Sequence, residues 1–351
     1  GIGEKGQYEY SRAKNPTRDI LEEKIARISG GNYATVFATG LAAEASLFLT
    51  LKAGDRILCC NEVYGGTVRL FRNILTPLGI HADFVDWADR DAVYKAIKPE
   101  TKYLWIETPT NPSFNIIDLE FVQKVSKEKN IPWIGDLTFA PPCALNAFEY
   151  GAYAVVYSLS KYFGGHNDIL GGAIVTNERA LDQKLRLVQK SVGAILSPDE
   201  CYRVIQEVKT LDIRWKHTSN TAQIVAQWLV SNKHVAKVLY PGLLTHPGHV
   251  IAKQQLKHGY GSTLSFVLKE ENLEKIKAFV KAAIATKLIT FGESLASPET
   301  LLAYPPTMSH GSLTKEEREK LGITDGFFRL SVGFEDANDI IDALETAFGV
   351  L

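Results

Sequence analysis

Short apolar runs alternate with amphipathic helical stretches over roughly the first 190 residues, and that alternation restricts the chain more than any other feature. Residues 18–29 read as an amphipathic helix closed by Gly30-Gly31, residues 34–37 as a short strand and residues 41–51 as a second helix. Strands are expected at 56–60, 82–85, 103–106, 133–135 and 154–157, several of them separated by helical stretches such as 119–129. Such alternation builds a mostly parallel sheet with helices on both faces. Sheets of this kind bind ligands beyond the carboxyl ends of their strands.

Past about residue 200 the character shifts to a smaller α/β domain. Residues 199–231 read as one long helical stretch, and Tyr240-Pro241-Gly242 breaks the chain. Residues 262–268 alternate as a strand, 273–285 are helical, and 327–333 form a strand before a final helix. The expected division is 1–12 as the remnant of an N-terminal arm, 13–205 as a large domain and 206–351 as a small one. The chain opens on Gly1-Ile2-Gly3 without a methionine, so more of the arm is expected to precede it. No internal repeat, low-complexity tract or flexible linker is present.

Composition narrows the partners. A net charge of −1, with 23% charged residues, argues against a nucleic-acid surface or an anionic-membrane binder. No apolar run is long enough to span a bilayer, and no signal peptide is expected. Four cysteines, two of them adjacent at Cys59 and Cys60, make no disulfide framework, which fits a reducing, cytoplasmic setting.

The run Ala154-Val155-Val156-Tyr157-Ser158-Leu159-Ser160-Lys161 carries the first chemical signal. A buried apolar strand ends in two alternating hydroxyls and one lysine, followed by the turn Gly164-Gly165. Burial at a strand mouth lowers a lysine's proton affinity and makes its amine nucleophilic toward aldehydes. A period of two puts Ser158 and Ser160 on one face, where both hydroxyls can meet one anion. Asp136 closes the apolar run one strand earlier and, in a parallel sheet, emerges at the same edge. A carboxylate there can pair with a protonated ring nitrogen, and a lysine with such an acid is the pattern of pyridoxal phosphate sites.

Four further segments suit the same ligand, although each taken singly also suits an ordinary turn or surface pair. Thr39-Gly40-Leu41 joins a strand to a helix start, which offers N–H groups to a phosphate. Tyr64, before Gly65-Gly66-Thr67, can stack on a flat ring. Asn111 lies in the proline-pinned turn Glu107-Thr108-Pro109-Thr110-Asn111-Pro112 and can hydrogen-bond a phenolate oxygen. Arg329, in Arg329-Leu330-Ser331-Val332-Gly333, can pair a carboxylate through both arms of its guanidinium.

In order and spacing these segments resemble the pyridoxal-phosphate enzymes of cysteine and methionine metabolism, the cystathionine γ-lyase and γ-synthase group. The resemblance runs from Tyr10-Ser11-Arg12 and Asn15-Pro16-Thr17 through Tyr240-Pro241-Gly242-Leu243 and His246-Pro247 to Val332-Gly333-Phe334-Glu335-Asp336. It implies an aminotransferase-like fold of type I: a mostly parallel seven-stranded sheet with helices on both faces, plus a smaller C-terminal α/β domain. It implies pyridoxal 5′-phosphate as cofactor, an amino-acid substrate, no metal, and a homotetramer built as a dimer of dimers. By the resemblance Lys161 holds the cofactor covalently and moves protons, Asp136 pairs the ring nitrogen, and Tyr64 stacks on the ring. Gly40, Leu41, Ser158 and Ser160 hold the phosphate, joined by Tyr10 and Arg12 from a neighbouring subunit. Arg329, Asn111 and Ser294 hold the substrate carboxylate.

The choice of reaction rests on Glu293-Ser294-Leu295 and Arg69, which match positions at the substrate mouth of γ-lyases and γ-synthases. A carboxylate and a guanidinium there suit a substrate with a second amino acid group, as cystathionine has, so γ-cleavage or γ-synthesis is expected. The alternatives are methionine γ-lyase, cystathionine β-lyase and O-acylhomoserine sulfhydrylase, or more remotely a catalytically silent cofactor-binding scaffold. The chain departs from the family pattern in several places: Leu137 for asparagine, Ser160 for threonine, Asn167 for serine, Ala296-Ser297 for Gly-Gly, and Glu44 at an apolar position.

Overall fold

Seven strands make one sheet: β1 (Tyr33–Phe37), β2 (Arg56–Cys60), β3 (His81–Val85), β4 (Thr101–Glu107), β5 (Trp133–Asp136), β6 (Ala154–Ser158) and β7 (Gly172–Thr176). Their order is β1-β7-β6-β5-β4-β2-β3 in the computed structural model, which describes residues 6–309, 311 and 314–351. The first five residues of the expected arm lie outside that range. Neighbours from β3 to β6 pair in parallel, and β7 runs antiparallel to both β6 and β1. The mostly parallel seven-stranded sheet expected from the resemblance is therefore present.

The middle strands are apolar nearly throughout because both of their faces are covered. Leu104, Trp105, Ile106, Trp133, Ile134, Ala154 and Val155 are fully buried. Strand β7 escaped the sequence reading. It follows β6 after one glycine-rich turn and returns antiparallel, so no crossover helix separates the two strands.

A five-stranded sheet follows: β8 (Val235–Leu239), β9 (Thr263–Leu268), β10 (Ile289–Phe291), β11 (Thr300–Ala303) and β12 (Phe327–Ser331), ordered β10-β11-β12-β9-β8. Only β10 and β11 pair in parallel; the other pairings are antiparallel. Phe266, Phe279, Phe328 and Phe348 centre this core, with ring centroids 5.3 Å apart for Phe279–Phe328 and 5.1 Å for Phe279–Phe348. The long helix expected over 199–231 is interrupted. Helices Pro198–Glu207 and Leu211–Ser231 flank a tight turn at Val208–Thr210, where the Thr210 hydroxyl donates back to the Glu207 carbonyl at 3.1 Å.

The chain forms two compact units. One takes the residues up to Thr108, Ile117–Gly164 and Asp168–Thr210; the other takes Pro109–Ile116, Gly165–Asn167 and Leu211–Leu351. Among the described residues no helix is long and apolar enough to cross a membrane.

Candidate active site

Strands β5 and β6 are parallel neighbours with Asp136 opposite Val156, so their carboxyl ends emerge together. Asp136 is the last residue of β5 and is 5% exposed. Its Oδ1 accepts from the Thr138 hydroxyl at 2.7 Å and from the Thr138 amide at 3.0 Å. The Thr138 Oγ1 in turn accepts from the Ser158 amide at 3.0 Å. This relay fixes the carboxylate's orientation across the two strand ends. Leu137, the departure beside it, is fully buried and donates its N–H to the Val156 carbonyl at 3.0 Å.

Lys161 lies three residues past the end of β6 in a tight turn, half-buried. Its amide donates to the Ser158 carbonyl at 3.2 Å, and the Gly164 amide closes the turn on the Leu159 carbonyl at 2.9 Å. Ser160 differs from the expectation of a shared strand face. The strand stops at Ser158, and the Ser160 hydroxyl accepts from the Gly171 amide at 3.1 Å.

Thr39 caps the helix Gly40–Phe48, its Oγ1 accepting from the Ala42 amide at 2.9 Å. Gly40 sits in a tight space: a Cβ there would lie 3.1 Å from the Ser158 Cβ. At Gly172 a Cβ would come within 2.2 Å of the Thr39 carbonyl oxygen. The two glycines thus seat the helix start against the end of β6, which brings its open N–H groups and the Ser158 hydroxyl to one place. A helix N-terminus beside a hydroxyl favours a phosphate. With Lys161 and Asp136 on the neighbouring strand ends, the residues present fit pyridoxal phosphate.

Two buried carboxyls accompany Asp136. Glu107, the last residue of β4, accepts from the Tyr64 amide at 2.7 Å, and Glu44 accepts from the Thr67 hydroxyl at 2.7 Å. Each is 3% exposed. Together they hold both ends of the Tyr64–Thr67 segment, in which Tyr64 is 38% exposed. In the sequence Glu44 stands out only as a departure from the family pattern, and Glu107 only as the start of a proline-pinned turn. The available signal was a strand of buried apolar residues closing on a carboxylate.

Burial pushes Glu44 well above the usual carboxylate range, and the nearby Asp136 charge adds to the push against the Thr67 bond. Burial likewise raises Glu107, again with help from Asp136 and against the Tyr64 bond. Asp136 is itself raised by burial, opposed by its two Thr138 bonds. A carboxyl raised on folding stabilises fully below its unfolded value, near 4.5 for Glu44, and loses that contribution as pH rises through the folded value. Glu44→Gln keeps an acceptor for Thr67 but cannot ionise. Its stability relative to the natural protein, both freed of cofactor, is therefore expected to grow by about 1–3 kcal/mol between about pH 5 and pH 8. Thermal unfolding across that range measures it, and a difference that does not change with pH overturns the assignment.

The remaining candidates fall into separate groups. Arg329, on β12, is 5% exposed. Its Nη1 donates to Asn111 Oδ1 and its Nη2 to the Ser294 carbonyl, both at 2.9 Å. Asn111 is 2% exposed, and the bond from it to Pro112 is cis. Glu293 is exposed beside Ser294. Arg69 is exposed on the helix Gly65–Leu70. Tyr10 and Arg12 are also exposed, with the guanidinium carbon 5.0 Å from the Tyr10 ring centre and Nη1 donating to the Lys190 carbonyl.

Comparison with known proteins gives a consistent result. The family described as Cys/Met metabolism PLP-dependent enzyme matches residues 1–349. A cystathionine β-lyase of Coxiella burnetii is 41% identical, the match covering 97% of this chain and 87% of that protein. A cystathionine γ-lyase of Bos taurus is also 41% identical, covering 98% of this chain and 84% of that protein. The crystal structure of cystathionine γ-lyase from Lactobacillus plantarum complexed with L-serine superposes with a TM-score of 0.94 at 38% identity, covering 100% of this chain and 90% of that one.

Proposed function

The chain belongs to the Cys/Met metabolism family of PLP-dependent enzymes, and on that premise we propose that it cleaves cystathionine on the γ side, with water, to cysteine, 2-oxobutanoate and ammonia. It is a pyridoxal-phosphate enzyme acting on carbon–sulfur bonds of sulfur amino acids. Pyridoxal phosphate, when bound, supplies the electron sink that carries negative charge from the substrate carbons. The chain's residues do the rest.

In this reading Lys161 holds the cofactor through Nζ. With the cofactor bound, the Lys161 amine would take the proton from Cα, give that proton up to the cofactor, and then take one from Cβ, while the thiolate leaves from Cγ. Asp136 keeps the ring nitrogen protonated, its oxygen aimed by Thr138. Burial disfavours the charged forms of Glu44 and Glu107, while two bonds from Thr138 favour the charged form of Asp136. Tyr64 stacks on the ring and passes a proton to the leaving sulfur. The Gly40 and Leu41 amides and the Ser158 and Ser160 hydroxyls hold the phosphate, with Tyr10 and Arg12 supplied by a neighbouring subunit of a tetramer. Residues 1–12 serve as that arm, 13–205 as the cofactor domain and 206–351 as the small domain. A reducing, cytoplasmic setting agrees with four cysteines, none of them in a disulfide.

Arg329, Asn111 and Ser294 hold the substrate's α-carboxylate, and Arg69 meets its distal end. One observation carries the choice of cystathionine: Glu293 presents an exposed carboxylate one residue from the carbonyl that Arg329 holds. A substrate with a second ammonium group at its far end meets both. Incubation of the holoenzyme with cystathionine tests the proposal. Cysteine and 2-oxobutanoate are expected, and homocysteine with pyruvate overturns γ-cleavage in favour of β-cleavage.

A further inference from the structure

Resting on the reading of Arg329 as the carboxylate clamp, we propose that Asn167 is a positioning residue for that clamp, acting through the backbone of Ser294. Ser294 has φ +105°, a conformation that a residue with a side chain adopts only where its surroundings impose it. That backbone turns the Ser294 carbonyl onto Arg329 Nη2 at 2.9 Å. The Ser294 hydroxyl meanwhile donates to Asn167 Oδ1 at 2.8 Å. Two residues on, Ala296 is also left-handed, with φ +61°, and its amide donates to the Ser331 hydroxyl at 3.0 Å. The turn is thus pinned at Ser331 on one side and Asn167 on the other.

Asn167 suits the task because asparagine accepts the left-handed backbone it adopts, φ +56°, better than most residues. Its side chain also reaches farther than the serine usual at this position. Without the Asn167 acceptor, Ser294 is released toward an ordinary φ and its carbonyl leaves the guanidinium. Arg329 then keeps the bond to the Asn111 oxygen and loses one of the two bonds that aim it toward a carboxylate.

The test compares two inhibitors of the holoenzyme, L-norvaline and L-norvalinamide, which differ in the α-carboxylate. Asn167→Ala is expected to raise the inhibition constant of L-norvaline and the KM for cystathionine about two- to tenfold, the worth of one such hydrogen bond. The L-norvalinamide constant, kcat and the spectroscopically titrated cofactor affinity are expected to stay unchanged. Ser294→Ala should cost the same, and the double variant no more than either single one. An equal loss for both inhibitors, additive losses, or weakened cofactor binding overturns the role of Asn167. Arg329→Leu separates the two readings. If it retains the preference for L-norvaline, the clamp itself is wrong; if it loses the preference while Asn167→Ala keeps it, only the positioning role is wrong.

Discussion

Replacement of Lys161 by alanine is expected to abolish turnover and to leave a protein that gives up its visible cofactor absorbance on dialysis. Positioned proton transfer is worth about 10²–10⁴-fold per step. In the proposed γ-cleavage this amine would make two such transfers as well as hold the cofactor covalently. The loss should therefore reach at least about 10⁴-fold. The fold itself should persist, because what the turn uses from this residue is its backbone N–H, bound to the Ser158 carbonyl. Circular dichroism and thermal unfolding check that point. Borohydride reduction of the natural holoenzyme followed by peptide mapping checks the attachment, and a label on any other lysine defeats the assignment.

Arg329→Leu is expected to raise KM for cystathionine by about 10²–10³-fold, the cost of removing one member of a buried, forked ion pair. kcat and cofactor affinity should fall much less. Arg329 lies between β9 and β11, paired with Ser265 and Ala303. The leucine variant also strips partners from Asn111 Oδ1 and the Ser294 carbonyl, so some stability is expected to go with it. Arg329→Lys keeps the charge and discriminates the two effects. A single ammonium cannot reproduce the planar fork, so KM should stay high in a variant of near-natural stability. A lysine variant with natural KM defeats the clamp.

Much of the cofactor region could be read from the chain because its pieces are strand ends. An apolar run that stops at a carboxylate or before a lysine announces both its buried length and its mouth, so Asp136 and Lys161 were assigned to adjacent strand ends from pattern alone. Ser160 was misplaced because period-two reasoning presumes that the strand continues, and β6 stops at Ser158. The Thr138 relay and the grip of Glu107 and Glu44 on the Tyr64–Thr67 segment join residues from different elements. No local periodicity encodes such bonds. In the second unit β10 and β11 are only three and four residues long, too short for alternation to register. The Arg329 group was reached through family resemblance, since Asn111 and Arg329 stand 218 residues apart.

The interleaving of the two units bears on how this chain can be recombined. Its six alternating segments give five passages from one unit to the other. A chimera spliced to a homologue once, near residue 210, would combine Pro109–Ile116 and Gly165–Asn167 from one parent with the remainder of their unit from the other. Asn111 and Asn167, which meet Arg329 and Ser294, lie in those two stretches. Substrate preference should therefore be inherited as a mosaic, moving intact between parents only when both short inserts travel with the C-terminal portion.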